Sequence, residues 1–188
     1  MFLEWIFATL WIIAQVGLMI ALADLFTGTF HWAEDTLGHK KVPFWGKVFV
    51  EPNELHHSKP ASINDRHWLR SNAETFIMAG TISLIVIALG GFSWQFAVFA
   101  VAGGMSQQAH RWAHAPSGRV PRIVRFLQKA KFLQSAQHHW MHHRAPARSH
   151  YCVLTPWLNK PLDRLGYWRM LEAVFVPIFG APRVPELN

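Results

Sequence analysis

The sequence predicts an all-α protein. The expected fold is a multi-pass membrane helical bundle, with about three spanning helices plus interfacial helices. A His-rich site for two metal ions is expected on its cytoplasmic face. Three observations carry this. Hydrophobic residues make up 51% of the 188 and charged residues only 15%, with ten Trp and fourteen Phe, an apolar load that points to a bilayer. Two long stretches are almost free of charge. Histidines recur at helical spacing just past the ends of those stretches. The length suits one domain, residues 1–188.

The first span covers residues 2–30. Up to Ala23 its only charge is Glu4, so it supplies the roughly 20 apolar residues that a crossing needs. It lacks the basic start and small-residue cleavage site of a signal peptide. Trp5 and Trp11 fit an interfacial belt. The helical pattern runs on into His31 and Asp35, which stand four apart and project from one side. This pair reads as a metal ligand beside either a second ligand or a carboxylate that orients the first.

Residues 37–72 form a polar connection containing the adjacent pair His56-His57. Neighbouring side chains on a helix diverge by about 100°, so both can ligate only if a site lies between them or two metals are present. His67 reads as structural, and Asn72 as a cap or a polar lining residue. Residues 73–107 are apolar again, interrupted by Gly90-Gly91. They are expected to form two short spans, 75–89 and 92–108, joined at the glycines. The second runs into His110 and His114, a spacing that chelates a metal from one continuous helix.

Residues 120–133 read as a helix with Pro121 in its first turn. Ile123, Phe126, Leu127 and Ala130 form an apolar stripe beside Arg122, Arg125 and Lys129, the pattern of an interfacial helix on an anionic leaflet. Next comes Gln137-His138-His139-Trp140-Met141-His142-His143. If it is helical, His139, His142 and His143 share one face. A last helix is expected over residues 162–179, and its apolar stretch 173–179, which contains Pro177, is too short to span. Cys152 is the single cysteine, which excludes a disulfide framework, and a lone cysteine is most often a small buried hydrophobe.

The topology places every cluster on one side. The first span ends just before His31, and the hairpin of the next two returns the chain to that side before His110. The same face carries nearly all the Lys and Arg, so the positive-inside rule makes it cytoplasmic. The net charge of +7 suits an anionic membrane face; the spanning segments argue against nucleic acid. Between Glu74 and Asp163 there is no Asp or Glu, so a carboxylate-rich di-iron bundle cannot be built from the later half. The site must be mostly imidazole. His31, His56, His57, His110, His114, His139, His142 and His143 are eight candidates, twice what one tetrahedral ion takes, so two metals are expected.

The order His31-x-x-x-Asp35, His56-His57, His110-x-x-x-His114 and His139-x-x-His142-His143 resembles the Kua lipid-desaturase family, with its plasmanylethanolamine and plastid phosphatidylglycerol branches. The surrounding phrases match as well: residues 30–38, 124–128, 142–146, Tyr151-Cys152 and 157–163. The resemblance covers residues 24–183. It implies a membrane lipid desaturase with two iron ions, O2 as co-substrate and an external electron donor of cytochrome b5 or ferredoxin type. The substrate would be a membrane phospholipid. No catalytic group is expected beyond the metal ligands. The 157–163 phrase and the double His138-His139 look closer to the plasmanyl branch, which forms the vinyl ether of plasmalogens, and they add His138 to the candidate ligands. An acyl-lipid desaturase, a lipid hydroxylase with the same histidines and a non-catalytic membrane subunit are the alternatives.

Overall fold

The computed structural model describes residues 1–37 and 39–180. Gly38, which closes the phrase 30–38, and the end of the resemblance beyond residue 180 lie outside the described residues. Among the described residues there are nine α-helices and no strand.

Helix α1 runs unbroken over Phe2–Thr36. Thirty-five residues at about 1.5 Å each make a rod of about 52 Å, against about 30 Å of hydrocarbon, so its last turns stand clear of the bilayer. Its first thirteen residues are exposed throughout, as suits a lipid-facing wall. Burial begins at Ala23 and follows one stripe: Asp24, Thr27, Gly28, His31 and Asp35.

Helix α2 is Glu51–Ser58, entered through a π-helical turn, Gly46–Val50, and left through a 3-10 turn, Pro60–Asn64. Helix α3, Trp68–Ala88, starts seven residues before the expected 75–89 span. The reason is local: Trp68 Nε1 and Asn72 Nδ2 both donate to Gln108 Oε1, at 2.7 and 3.3 Å, which draws this polar stretch into the helix. Asn72 is therefore a buried crosslink in the helix interior, and exposed His67 occupies the N-cap position without a capping bond.

The expected third span is divided. Helix α4 is Trp94–Gly104, started by Ser93, whose hydroxyl accepts from the Phe96 amide at 3.1 Å; α5 is Ser106–His114. The Ala109 amide reaches the Met105 carbonyl at 3.0 Å, so the rod goes on across the break. Residues 102–106, Ala-Gly-Gly-Met-Ser, are poor material for an uninterrupted helix, because glycine costs about 1 kcal/mol there relative to alanine. Taken singly, α1 and α3 are long and apolar enough to cross a membrane. Helix α4 packs on both, making a three-helix unit.

Helix α6, Arg122–Lys129, is shorter than the expected 120–133. Val124 points inward while Ile123 and Phe126 are exposed, leaving an apolar outer face beside the arginines. Helix α7 is Ala136–His143, capped by Ser135, whose hydroxyl accepts from the His138 amide. The expected last helix is two: α8, Asn159–Arg164, and α9, Tyr167–Phe179, parted by Gly166 in the left-handed conformation (φ +68°).

Between α7 and α8 an extended segment, residues 151–155, lies buried against α1. Asp24 pins it: the carboxylate accepts from the Leu154 amide (2.8 Å), the Thr155 amide (2.9 Å) and the Thr155 hydroxyl (2.7 Å). Asn159 brackets Cys152 from the other side through its amide N–H and carbonyl. Gly28 lets the helix approach this segment, because a Cβ there would sit 2.9 Å from Cys152 Sγ and 3.1 Å from its Cα. Gly28→Ala is therefore expected to destabilise the fold by about 1–3 kcal/mol, read as a lower melting temperature in detergent. Gly17→Ala, where nothing lies within 4 Å, is the control.

Candidate metal centre

Four helices deliver the site. On α1, His31 and Asp35 extend the buried stripe by one turn. On α5 and α7 the histidines sit three or four apart and share one face, while on α2 His56 and His57 are neighbours that diverge. His56, His57, His110, His139, His142 and His143 are all buried. Arg111 locks α5 to the α2 side, its guanidinium donating to the Ile63 carbonyl at 2.8 Å.

The rings separate into two groups. The first is His56, His110, His114, His139 and His143; their ligand nitrogens all lie within 4.8 Å of one another. Nε2 of His110 is 3.0 Å from Nε2 of His56, and Nε2 of His143 lies 3.1 Å from that of His139 and 3.2 Å from that of His114. Two nitrogens about 2.0–2.1 Å from one ion and at right angles to each other are about 3 Å apart, the spacing seen here. Five imidazoles also exceed the four ligands of a tetrahedral zinc site.

The second group is His31, Asp35, His57 and His142. His31 Nδ1 donates to the Tyr151 carbonyl (3.0 Å) and His142 Nδ1 to the Ser149 carbonyl (2.8 Å). Those bonds put the proton on Nδ1 of each neutral ring and turn the Nε2 lone pair inward. It faces the Asp35 carboxylate, at 3.2 Å for His142 and 3.9 Å for His31. Both Nε2 atoms and Asp35 Oδ2 are buried without a hydrogen bond. Lone pairs converging on a carboxylate oxygen with no proton between them is unfavourable unless a cation sits among them. Asp35 Oδ1 meets His57 Nε2 at 3.0 Å and accepts a short hydrogen bond from Asn53. The carboxylate thus lies among the Nε2 atoms, on the side that ligates, and not behind a ring's Nδ1.

The groups adjoin: the ring centroids of His57 and His143 are 4.9 Å apart, and those of His31 and His110 5.6 Å. Burial first, and then the neighbouring imidazoles, hold His56 and His139 well below the ordinary imidazole range. Each is neutral at physiological pH, the state in which it can bind a metal. With imidazole and carboxylate donors and no thiolate, the set suits iron, zinc or copper by ligand type.

His138 is the expected ligand that neither group contains. It is half-buried on another face of α7, its Nε2 is 3.1 Å from Asn159 Nδ2, and its ring lies 5.3 Å from that of His150. One position on a helix turns a side chain by about 100°, so it cannot follow His139 into the site. His150 pairs with Asp163 at 2.7 Å, and His39 is exposed; neither joins the groups. Two positions went unnoticed in the sequence. Asn53 stands three and four residues before His56 and His57 on α2, and an amide at that spacing was a readable signal. Asp24 is an acid at the end of an apolar stretch, seven residues before His31, where an ionisable group marks a special role. By anchoring residues 154 and 155 it steadies the segment whose Tyr151 carbonyl orients His31.

Beside both groups lies a cavity of about 460 Å³. Phe30, Phe44, Phe49, Ile77 and Met78 make its apolar wall, His31, His56 and His110 border it, and Arg66 and Glu74 add charge.

Residues 20–184 match the family of the lipid desaturase domain. The chain is 30% identical over 181 residues to plasmanylethanolamine desaturase 1 of Mus musculus, covering 89% of this chain and 66% of that protein. To plasmanylethanolamine desaturase of Myxococcus xanthus it is 29% identical over 192 residues, 97% of this chain and 67% of that protein. To the chloroplastic fatty acid desaturase 4-like 2 of Arabidopsis thaliana it is 36% identical over 172 residues, 86% of this chain and 59% of that protein. The chain thus spans about two thirds or less of the length of these three relatives. No solved structure matches it.

Proposed function

Because the chain belongs to the lipid desaturase family, we propose that it is a membrane-embedded, O2-dependent di-iron desaturase acting on one chain of a phospholipid. The preferred substrate is a 1-O-alkyl (plasmanyl) phospholipid, converted to the vinyl ether. The observation that carries the metal assignment is the convergence of nine buried or half-buried side chains from four helices into two adjoining groups. In the second group the Nε2 lone pairs of His31 and His142 have no proton to meet.

On this reading His56, His110, His114, His139 and His143 hold one iron, and His31, Asp35, His57 and His142 the other. Bound iron supplies the activation of O2 that hydrogen removal from an unactivated carbon requires. The rest falls to the chain's own residues. The carbonyls of Tyr151 and Ser149 keep His31 and His142 in the ligating tautomer. Phe30, Phe49 and Met78 form a dry wall that accepts a hydrocarbon segment and keeps water from the reacting carbons. A cavity of about 460 Å³ lies in the range of small-molecule sites and holds part of one chain, not a whole lipid. On this reading α1, α3 and the rod of α4 and α5 cross the bilayer, and the excess of Lys and Arg on the site's side supports a cytoplasmic face, where they would meet lipid phosphate.

The 36% identity to a chloroplastic fatty acid desaturase supports a second reading, desaturation of an acyl chain. Two measurements separate the possibilities. Metal analysis of the purified chain is expected to find iron at both groups; zinc without iron overturns the oxidase. Membranes given an alkyl-ether phospholipid are expected to yield an acid-labile product lighter by two hydrogens. A product heavier by one oxygen identifies a hydroxylase, and desaturation of ester-linked chains alone identifies the acyl branch.

A further inference from the structure

Forming one double bond at the expense of O2 leaves an electron deficit. The saturated carbon pair gives two hydrogens with two electrons, O2 takes up four electrons and four protons to become two waters, and the difference is two electrons and two protons. The protons come from solvent; the electrons must enter through the protein surface. Helix α7 shows where. Its inner face carries His139, His142 and His143, while Gln137, Trp140, Met141 and Arg144 are exposed. Trp140 is 53% exposed, yet its ring stacks on that of the buried His143 at a centroid distance of 5.9 Å and 23° between planes. It is thus a solvent-exposed aromatic ring in direct contact with a ring of the five-histidine group.

The face lies on the aqueous side. His143 Nε2 is 3.2 Å from His114 Nε2, and His114 is the last residue of α5, ten residues or about 15 Å along the rod beyond Gly104. The stretch of chain that contains α7 has one sign of charge, with Arg119, Arg122, Arg125, Lys129, Lys131, Arg144 and Lys160 exposed, Arg111 buried and Arg148 paired with Glu172. From residue 75 to residue 162 the chain has nine Lys and Arg and no Asp or Glu. Such a surface draws in an acidic partner and repels a basic one. We propose that the exposed face of α7, centred on Trp140, is the docking surface for an acidic one-electron carrier protein, and that electrons pass from it through Trp140 and His143 to the metal centre. The inference rests on the desaturase reading. Two successive carrier encounters supply the two electrons.

The test uses the full-length iron-loaded protein in detergent or nanodiscs and two probes, the reduced soluble haem domain of cytochrome b5 and a reduced plant-type ferredoxin. Reduction of the metal centre is followed by stopped-flow absorbance without lipid or O2, and carrier affinity by titration. Trp140→Leu is expected to slow reduction by the better probe about tenfold or more, while Trp140→Phe, which keeps a ring on His143, stays within about threefold. Iron content and reduction by dithionite should be unchanged in both. Arg144→Glu is expected to weaken carrier binding about tenfold and flatten its salt dependence. Wild-type reduction rates in Trp140→Leu, or wild-type affinity in Arg144→Glu, overturn the proposal. Loss of iron from Trp140→Leu makes the residue structural and also overturns the electron route. Failure of the desaturase reading is seen separately, as a wild-type protein that holds no reducible iron.

Discussion

Asp35→Asn is expected to abolish turnover, by more than about 100-fold, and to remove one group's metal while the other group keeps its own. The carboxylate meets His57 Nε2 at 3.0 Å, His142 Nε2 at 3.2 Å and His31 Nε2 at 3.9 Å, so it faces every imidazole of its group. It is the only anion in either group. Asparagine preserves shape and one oxygen acceptor but takes away the negative charge that offsets a divalent ion in a buried setting. It also leaves Asn53 hydrogen-bonding to an amide where it now meets a carboxylate. Metal analysis should show iron per chain falling by about half, and product analysis should show no alkene. His138→Ala supplies the contrast. That ring touches Asn159 and His150 and neither group, so iron content should be retained. Full activity in Asp35→Asn, or loss of iron in His138→Ala, would reverse the assignment of these two positions.

The difference between those residues shows what the sequence discloses and what it withholds. Helical spacing is local: positions three and four apart share a face whatever the rest of the chain does. His31 with Asp35, His110 with His114, and His139 with His142 and His143 were therefore legible as sets. The division into five and four was not, because it depends on how α2 and α7 are rotated against α1 and α5. The adjacent pair His56-His57 makes the point. A turn of about 100° between neighbours sends one ring to each group, so this pair joins the two. His138 is the same geometry with the opposite outcome, since its neighbour took the inward direction. Segment 149–155 carries no pattern of its own, because backbone carbonyls that fix a tautomer are supplied by every residue type. Only the pinning acid, Asp24, could have announced it. The third span was legible as apolar and illegible as broken. Hydropathy does not register that Gly103-Gly104-Met105 interrupts the helix while its axis carries on.

Acid is expected to undo the site steeply, and metal to delay it. His56 and His139 lie outside the spanning helices and are held below the ordinary imidazole range, chiefly because burial penalises their charged form. In the unfolded chain each regains a value near 6.5. Below that pH the unfolded state takes up protons that the folded state refuses, so stability falls as pH falls. Above about 6.5 the contribution of these groups is constant. Each such histidine tilts the balance by up to about 1.4 kcal/mol per pH unit, and the two together by up to about 3. A drop from pH 6.5 to 5.5 then removes about 2 kcal/mol of the roughly 5–15 kcal/mol that an ordinary domain has. Bound metal resists the change, because a ligated nitrogen cannot accept a proton until the ion leaves. In detergent, the chelator-treated protein should lose melting temperature sharply between pH 7 and 5, whereas the iron-loaded protein holds it to lower pH and then loses iron and fold together. His139→Leu offers the internal check. It removes one refused proton, so the metal-free variant should have a shallower slope with pH even where its melting temperature is lower. A flat profile in the metal-free wild type would mean that these imidazoles are not held neutral inside the fold, and the case for a metal among them would lose its electrostatic ground.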